Sequence, residues 1–195
     1  EDARQSVQKI RNANIDLLVV DHHALDIEWE SILRSQVKSI LVIDDLANRK
    51  HDCDWLLDQN LFSNRKRYDY LVSNKTIKIF GPKYALVNED FLRYRKNVSK
   101  NRSIKRIFIF FGGSDLFNLT MMTLKSLQHP KFKKLELVVV IGKGNPYASE
   151  IKKFVSNIDN AVLHIQVNNM AEIMSNSDIS IGSGGSATWE RFVIG

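Results

Sequence analysis

The chain has 195 residues, 44% of them hydrophobic, with 28 Lys and Arg against 22 Asp and Glu, a formal net charge of +6 and a pI near 9.4. That length and apolar content suffice for one domain or two small ones, and the charge favours anionic partners such as nucleotides. A single cysteine, Cys53, excludes an internal disulfide framework and fits a reducing cytoplasm. No secretory signal is visible, and the longest apolar runs, residues 15–20 and 135–141, fall far short of the roughly 18 needed to cross a bilayer. A cytoplasmic protein with no integral membrane segment is expected.

The amino half opens mid-helix near residue 3 and continues with a strand at about 15–20 and a helix at about 27–36. Strands follow at about 38–43, near Trp55 to Leu57, and at about 77–80. This pattern predicts part of an α/β domain over residues 1–93. Asp21, His22 and His23 end the first strand, where such proteins place chemistry. Two readings stay open there. The three side chains suit manganese or zinc, and Asp-His-His after a strand resembles the signature of a metal-dependent phosphoesterase family; alternatively, His22 caps a turn. Asp44, Asp45, Asn48, Arg49, His51, Cys53 and Asp54 form a second polar cluster, but its spacing matches no standard zinc site and it reads as a surface turn. Trp29, Trp55 and Trp189 read as core anchors.

Residues 94–103 are polar and basic and are predicted as a linker. Arg93, Arg95, Lys96, Lys100, Arg102, Lys105 and Arg106 make its surroundings the most basic stretch. Tyr94 is the one aromatic residue among them, short of the interleaving that base stacking would require, so a solvated linker is expected and no nucleic-acid partner. Residues 104–195 then alternate strands at about 106–111, 135–141, 161–165 and 178–181 with helices at about 116–128, 147–156 and 169–176. That is the βαβ pattern of a parallel, Rossmann-like sheet. The final helix has scarcely begun at Gly195, so outer elements are expected beyond both ends of the sequence.

Residues 178–191, DISIGSGGSATWER, run from a strand through a glycine-rich turn into a helix. Gly182, Gly184 and Gly185 permit a tight turn, and the first amides of the helix have no intrahelical partner, which makes the turn a candidate phosphate site. Ser183, Ser186 and Thr188 add hydroxyls, and Glu190 offers a carboxylate to a pair of sugar hydroxyls. Turns of this kind also occur with no ligand, simply to let a helix pack on its sheet. A second such turn, IFIFFGGSD at residues 107–115, leads through Asn118 and Thr120 into a helix, with Asp115 as its expected cap. Two glycine turns at the ends of neighbouring parallel strands can flank one ligand. A third, at Gly142 to Gly144, reads as structural, and His129 and His164 as ordinary residues.

Several blocks recur in order along the chain: residues 20–26 with Trp29 and Glu30, residues 42–49 with His51, Cys53 and Asp54, then residues 57–60, 81–86, 111–115 with 118–120, and 184–191. Together they resemble the family of nucleotide-sugar hydrolases of pseudaminic acid biosynthesis, which remove UDP from a diacetamido-trideoxy hexose. The resemblance implies an α/β fold of two Rossmann-like domains of GT-B type, the first incomplete and the second cut near its end. It implies a diphosphate resting on Gly184, Gly185, Ser186, Ala187 and Thr188, with Gly113 and Ser114 closing from the other side. Glu190 would take the ribose hydroxyls, Val167 the uracil through its main chain with Met170 packed nearby, and Asn118 the sugar or phosphate. Water would attack the anomeric carbon with no metal or other cofactor. The favoured base is a histidine expected upstream of residue 1, and His23 is the catalytic candidate within the chain, standing where the family commonly has tyrosine.

The expected partner is a UDP-sugar, with a monomer favoured. Three alternatives remain at this stage: a GT-B glycosyltransferase for surface glycans, a manganese-dependent phosphoesterase, and a nucleotide-binding fragment without turnover.

Overall fold

A computed structural model describes residues 1–62, 64, 66–95 and 103–195. The chain divides into two compact units, Glu1–Leu86 and Val87–Gly195. Each has its own parallel four-stranded sheet.

In the first unit, α1 (Asp2–Ile10) precedes β1 (Ile15–Val20), α2 (Ile27–Leu33), β2 (Val37–Ile43), β3 (Trp55–Asp58) and β4 (Ile77–Phe80). The strands lie in chain order and are all parallel. Asp26 starts α2 by accepting the Glu28 amide, and the last turn of the predicted 27–36 helix tightens into a 3₁₀ turn at Arg34–Gln36. Val20, Ile40, Val42, Cys53, Leu56 and Tyr68 form the core, with Trp29 packed against it. Trp55 differs from expectation: as the first residue of β3 it is half-buried and lies outside that cluster, while Leu56 after it is fully buried.

The second unit contains α3 (Glu89–Arg93), β5 (Arg106–Phe110), α4 (Leu119–Ser126), β6 (Glu136–Ile141), α5 (Ala148–Val155), β7 (Ala161–Ile165), α6 (Met170–Ser175), β8 (Ile179–Gly182) and α7 (Ser186–Ile194). Its strands are ordered β7-β6-β5-β8. Because side chains alternate across a strand, Leu137, Val139 and Ile141 of β6 face one core with Ile107, Ile109, Leu124 and Ile151. Val140 faces another, with Phe91, Phe108, Ala171, Met174 and Ile194. Burial on both faces explains the nearly continuous apolar runs of β5 and β6. Each fully buried Leu or Ile in these layers contributes about 1.5–3 kcal/mol relative to exposure.

Phe91 places α3 in the second unit, and the division between units falls at residues 86 and 87, ahead of the 94–103 segment. Residues 96–102, with Lys96, Lys100 and Arg102, lie outside the described residues. Among the described residues no helix is long and apolar enough to cross a membrane.

Candidate functional site

The order β7-β6-β5-β8 reverses direction at β5, so the crevice between the carboxyl ends of β5 and β8 is the topological switch point at which open α/β sheets bind ligands. Phe110 pairs with Gly182 across that crevice, and both glycine turns start within a residue or two of the pair. The two turns that the sequence singled out are therefore neighbours. Their contact requires Gly182: a Cβ there would lie 2.2 Å from the Phe110 carbonyl oxygen and 2.6 Å from Arg191 Nη1.

Beyond β8, Ser183 and Gly184 lead to Gly185, whose φ of 103° and ψ of −163° fall in a region open essentially only to glycine. Gly185 is the N-cap of α7 and supplies no side chain to it. The Thr188 amide bonds to the Gly185 carbonyl, leaving the amides of Ser186 and Ala187 with no helical carbonyl to reach. Gly184, Gly185 and Ser186 are exposed, so this end of the helix presents open donors and the positive end of its dipole to solvent. Glu190 stands one turn further on. Burial is the main influence on its half-buried carboxyl and lifts its pKa above the ordinary value, against the opposing pull of Arg191.

The β5 turn is built differently. Gly112 (φ 87°), Asp115 (φ 40°) and Asn118 (φ 52°) all take positive φ, and the Asn118 amide closes a turn onto the Asp115 carbonyl. These left-handed residues delay α4 to Leu119, three residues later than the sequence predicted, and leave Phe117 86% exposed. The buried Asp115 carboxylate accepts from the amides of Leu119 and Thr120, both at 2.9 Å. Asp115 is thus the cap the sequence suggested, and it already occupies the place an anion would take on α4. Gly113 and Ser114 remain exposed above it, and Asn118 Oδ1 is buried with no hydrogen-bond partner among the described residues.

The third glycine turn serves packing: a Cβ on Gly142 would meet the Gly113 carbonyl oxygen at 2.3 Å, so Gly142 lets the β5 and β6 turns nest. After β7, Gln166 turns the chain at φ 54° and its side chain accepts from the Lys143 amide. Val167 and Met170 pack partly buried on the core that includes Ile194 of α7, which brings the β7 loop and α7 onto the same face of the sheet. Trp189 lies half-buried beside Phe192, ring centroids 6.0 Å apart, and outside the core clusters expected to hold it.

Sequence reasoning missed Arg191. Its Nη2 donates to the Ser183 carbonyl (2.7 Å) and to Thr188 Oγ1 (3.0 Å), folding a guanidinium back under the glycine turn. The signal was the i, i+3 spacing of Thr188 and Arg191, which puts them on one helix face.

In the first unit, Asp21, His22 and His23 line an open depression at the end of β1. His22 Nδ1 accepts from the Ala24 amide at 3.1 Å, the turn-capping role foreseen for it. His23 Nε2 lies 3.3 Å from Asp45 Oδ1 at the end of β2, an exposed imidazole–carboxylate pair. Among the described residues no three His, Cys, Asp or Glu side chains gather as a metal site.

The second polar cluster is structural. Asp44 pairs with Arg49 (2.7 Å) and Tyr68; burial disfavours its charge, but the Ala47 amide, Tyr68 and Arg49 together hold its carboxyl below the usual value. His51 meets Glu30 at 2.7 Å with both side chains fully buried, and Arg34 bridges Asp52 and Asp54. These ligand-type residues are thus spent on three separate contacts, and Cys53 sits in the core.

No protein-family model matches the chain. It is 29% identical, over its full length, to 42% of an uncharacterized protein, MJ1062, of Methanocaldococcus jannaschii. It is 28% identical, again over its full length, to 69% of the UDP-2,4-diacetamido-2,4,6-trideoxy-beta-L-altropyranose hydrolase of Campylobacter jejuni. The spore coat polysaccharide biosynthesis protein SpsG of Bacillus subtilis matches 97% of the chain at 22% identity, over 56% of its own length. Among solved structures, MurG of Acinetobacter baumannii covers 95% of this chain and 51% of its own at 13% identity, with a TM-score of 0.48. The chain spans from under half to about two thirds of the lengths of these curated relatives. The resemblance carried by the ordered sequence blocks is borne out: along its whole length the chain is a homologue of the Campylobacter UDP-sugar hydrolase.

Proposed function

We propose that this chain serves the hydrolysis of a UDP-sugar, a diacetamido-trideoxy hexose, in nonulosonic acid or surface polysaccharide biosynthesis. The observation that carries the reading is the uncapped start of α7 at the sheet's switch point, in a chain similar throughout to a UDP-sugar hydrolase. The diphosphate lies on the turn from Gly184 to Thr188, taking the amides of Ser186 and Ala187 and the hydroxyls of Ser186 and Thr188. Gly113 and Ser114 border it from the β5 side, and Asn118 offers its amide to the sugar or phosphate. Glu190 accepts from the ribose hydroxyls. The Val167 main chain reads the uracil edge, with Met170 alongside.

Water attacks the anomeric carbon, the bond from that carbon to the phosphate oxygen breaks, and UDP leaves with the electron pair. Charge then builds on the departing phosphate, where the α7 amides and helix dipole are oriented in advance to receive it. A base takes the proton of the water. The resemblance favours a histidine ahead of residue 1 for that task. His23, whose Nε2 lies 3.3 Å from Asp45 Oδ1, is the candidate within this chain.

Hydrolysis in ¹⁸O-water with EDTA present tests this reading. The expected products are free sugar and UDP without label, since carbon and not phosphorus is attacked. UMP with sugar phosphate, labelled UDP, or a requirement for Mn²⁺ would each contradict it and favour a phosphoesterase.

A further inference from the structure

The Thr188 hydroxyl has one proton and two lone pairs, whereas a guanidinium only donates. In the contact between Arg191 Nη2 and Thr188 Oγ1, the threonine is therefore the acceptor, and its own proton must go elsewhere. A helical threonine commonly returns that proton to a carbonyl three or four residues back. Here the Thr188 hydroxyl donates to no acceptor among the described residues. It stands in the first turn of α7, next to the open amides of Ser186 and Ala187.

Two features hold the arrangement in place. The same Nη2 grips the Ser183 carbonyl, so the guanidinium ties the entry of the turn to the first turn of the helix. Gly182 makes the space, since a Cβ there would sit 2.6 Å from Arg191 Nη1. That Nη1 is buried without a hydrogen-bond partner among the described residues, leaving a positive group beneath the turn with its charge incompletely answered.

We propose that Arg191 is a positioning residue, which directs the Thr188 hydroxyl outward as a donor to the phosphates of the bound nucleotide and fixes the turn that presents it. This rests on the reading of the β8–α7 turn as the diphosphate site. It assigns Arg191 no contact with the ligand and makes the effect of Arg191 pass through Thr188.

The test compares UDP, by calorimetry, with uridine, by ligand-observed NMR titration, on the whole chain. Arg191→Gln and Thr188→Val are each expected to weaken UDP about tenfold to a hundredfold, the worth of one charge-assisted hydrogen bond, and to leave uridine unchanged. The double variant should be no weaker than the worse single, because both remove one donor. Arg191→Lys should fail to restore UDP affinity, since its ammonium nitrogen stands one bond short of the Nη2 position that reaches both Ser183 and Thr188.

Unchanged UDP affinity in folded Arg191→Gln, multiplying losses in the double variant, or a parallel loss of uridine would each overturn the proposal. Should Arg191→Gln not fold, Thr188→Val decides alone, and normal UDP binding there overturns it. Failure of the unaltered chain to bind UDP would instead refute the diphosphate site itself.

Discussion

The β5–α4 and β8–α7 turns look alike in sequence and sit side by side in the sheet, yet they handle the exposed amides of their helices in opposite ways. Asp115 folds a buried carboxylate onto the first amides of α4, so that helix supplies its own anion. No side chain caps α7, and a guanidinium lies beneath its turn. A helix start completed from within is built for stability. One left open beside a cation is suited to receive an anion from solution. The glycine pattern alone does not separate the two cases, because the difference resides in whether an acceptor follows the glycines.

Giving α7 its own carboxylate should break the contrast most sharply. Ser186→Asp places an acid at the first helical position, which should stabilise the helix by about 0.3–1 kcal/mol while repelling a diphosphate by on the order of 2–4 kcal/mol. Thermal melting and UDP calorimetry would then move in opposite directions; UDP affinity unchanged by the added carboxylate would mean the turn holds no anion. Glu190→Ala should cost UDP binding about 1.5–3 kcal/mol, with little change in melting temperature. Asp115→Ala should do the reverse, lowering stability by about 1–2 kcal/mol through the loss of a cap and leaving UDP affinity nearly intact. A large loss of UDP affinity in Asp115→Ala would erase the distinction between the turns.

Acidity sharpens the comparison further. Because burial raises the Glu190 pKa, the protonated form persists to a higher pH in the folded chain than in the unfolded one. Its contribution to stability is therefore present below the unfolded value and lost as pH rises through the folded one. Ribose binding has the opposite sign, since it needs the carboxylate: UDP affinity should fall on acidification at a pH above the usual carboxylate range, and Glu190→Gln should remove that step. The smallest expected signal comes from Cys53, whose thiol is pushed up to about 12 by burial and by the nearby Glu30 charge. Iodoacetamide should leave it unmodified at neutral pH until the chain unfolds.

Much of this architecture is legible in the sequence, because the elements are set by local periodicity. The strands of the second unit and their glycine turns occur where apolar runs and Gly clusters put them, since doubly buried strands must be apolar and tight turns must be permissive. Capping is legible where the residue type is diagnostic, as at Asp115. The delayed start of α4 was not, because it depends on Asp115 and Asn118 adopting left-handed backbone, which neither residue type compels. Arg191 and the pairing of Asp45 with His23 were missed for a related reason: each residue matters through a partner, Ser183 and Thr188 for one and His23 for the other. Phe91 likewise looked like the end of the first half until its packing against Phe108 and Met174 assigned it to the second.

Calorimetric titration of the chain with UDP in EDTA, repeated with Ser186→Asp, tests the central claim most directly. Saturable UDP binding without metal, abolished or strongly weakened by the added carboxylate, is the predicted result. UDP binding that is absent, that appears only with Mn²⁺, or that survives Ser186→Asp unchanged would contradict the assignment of the open α7 turn as the diphosphate site.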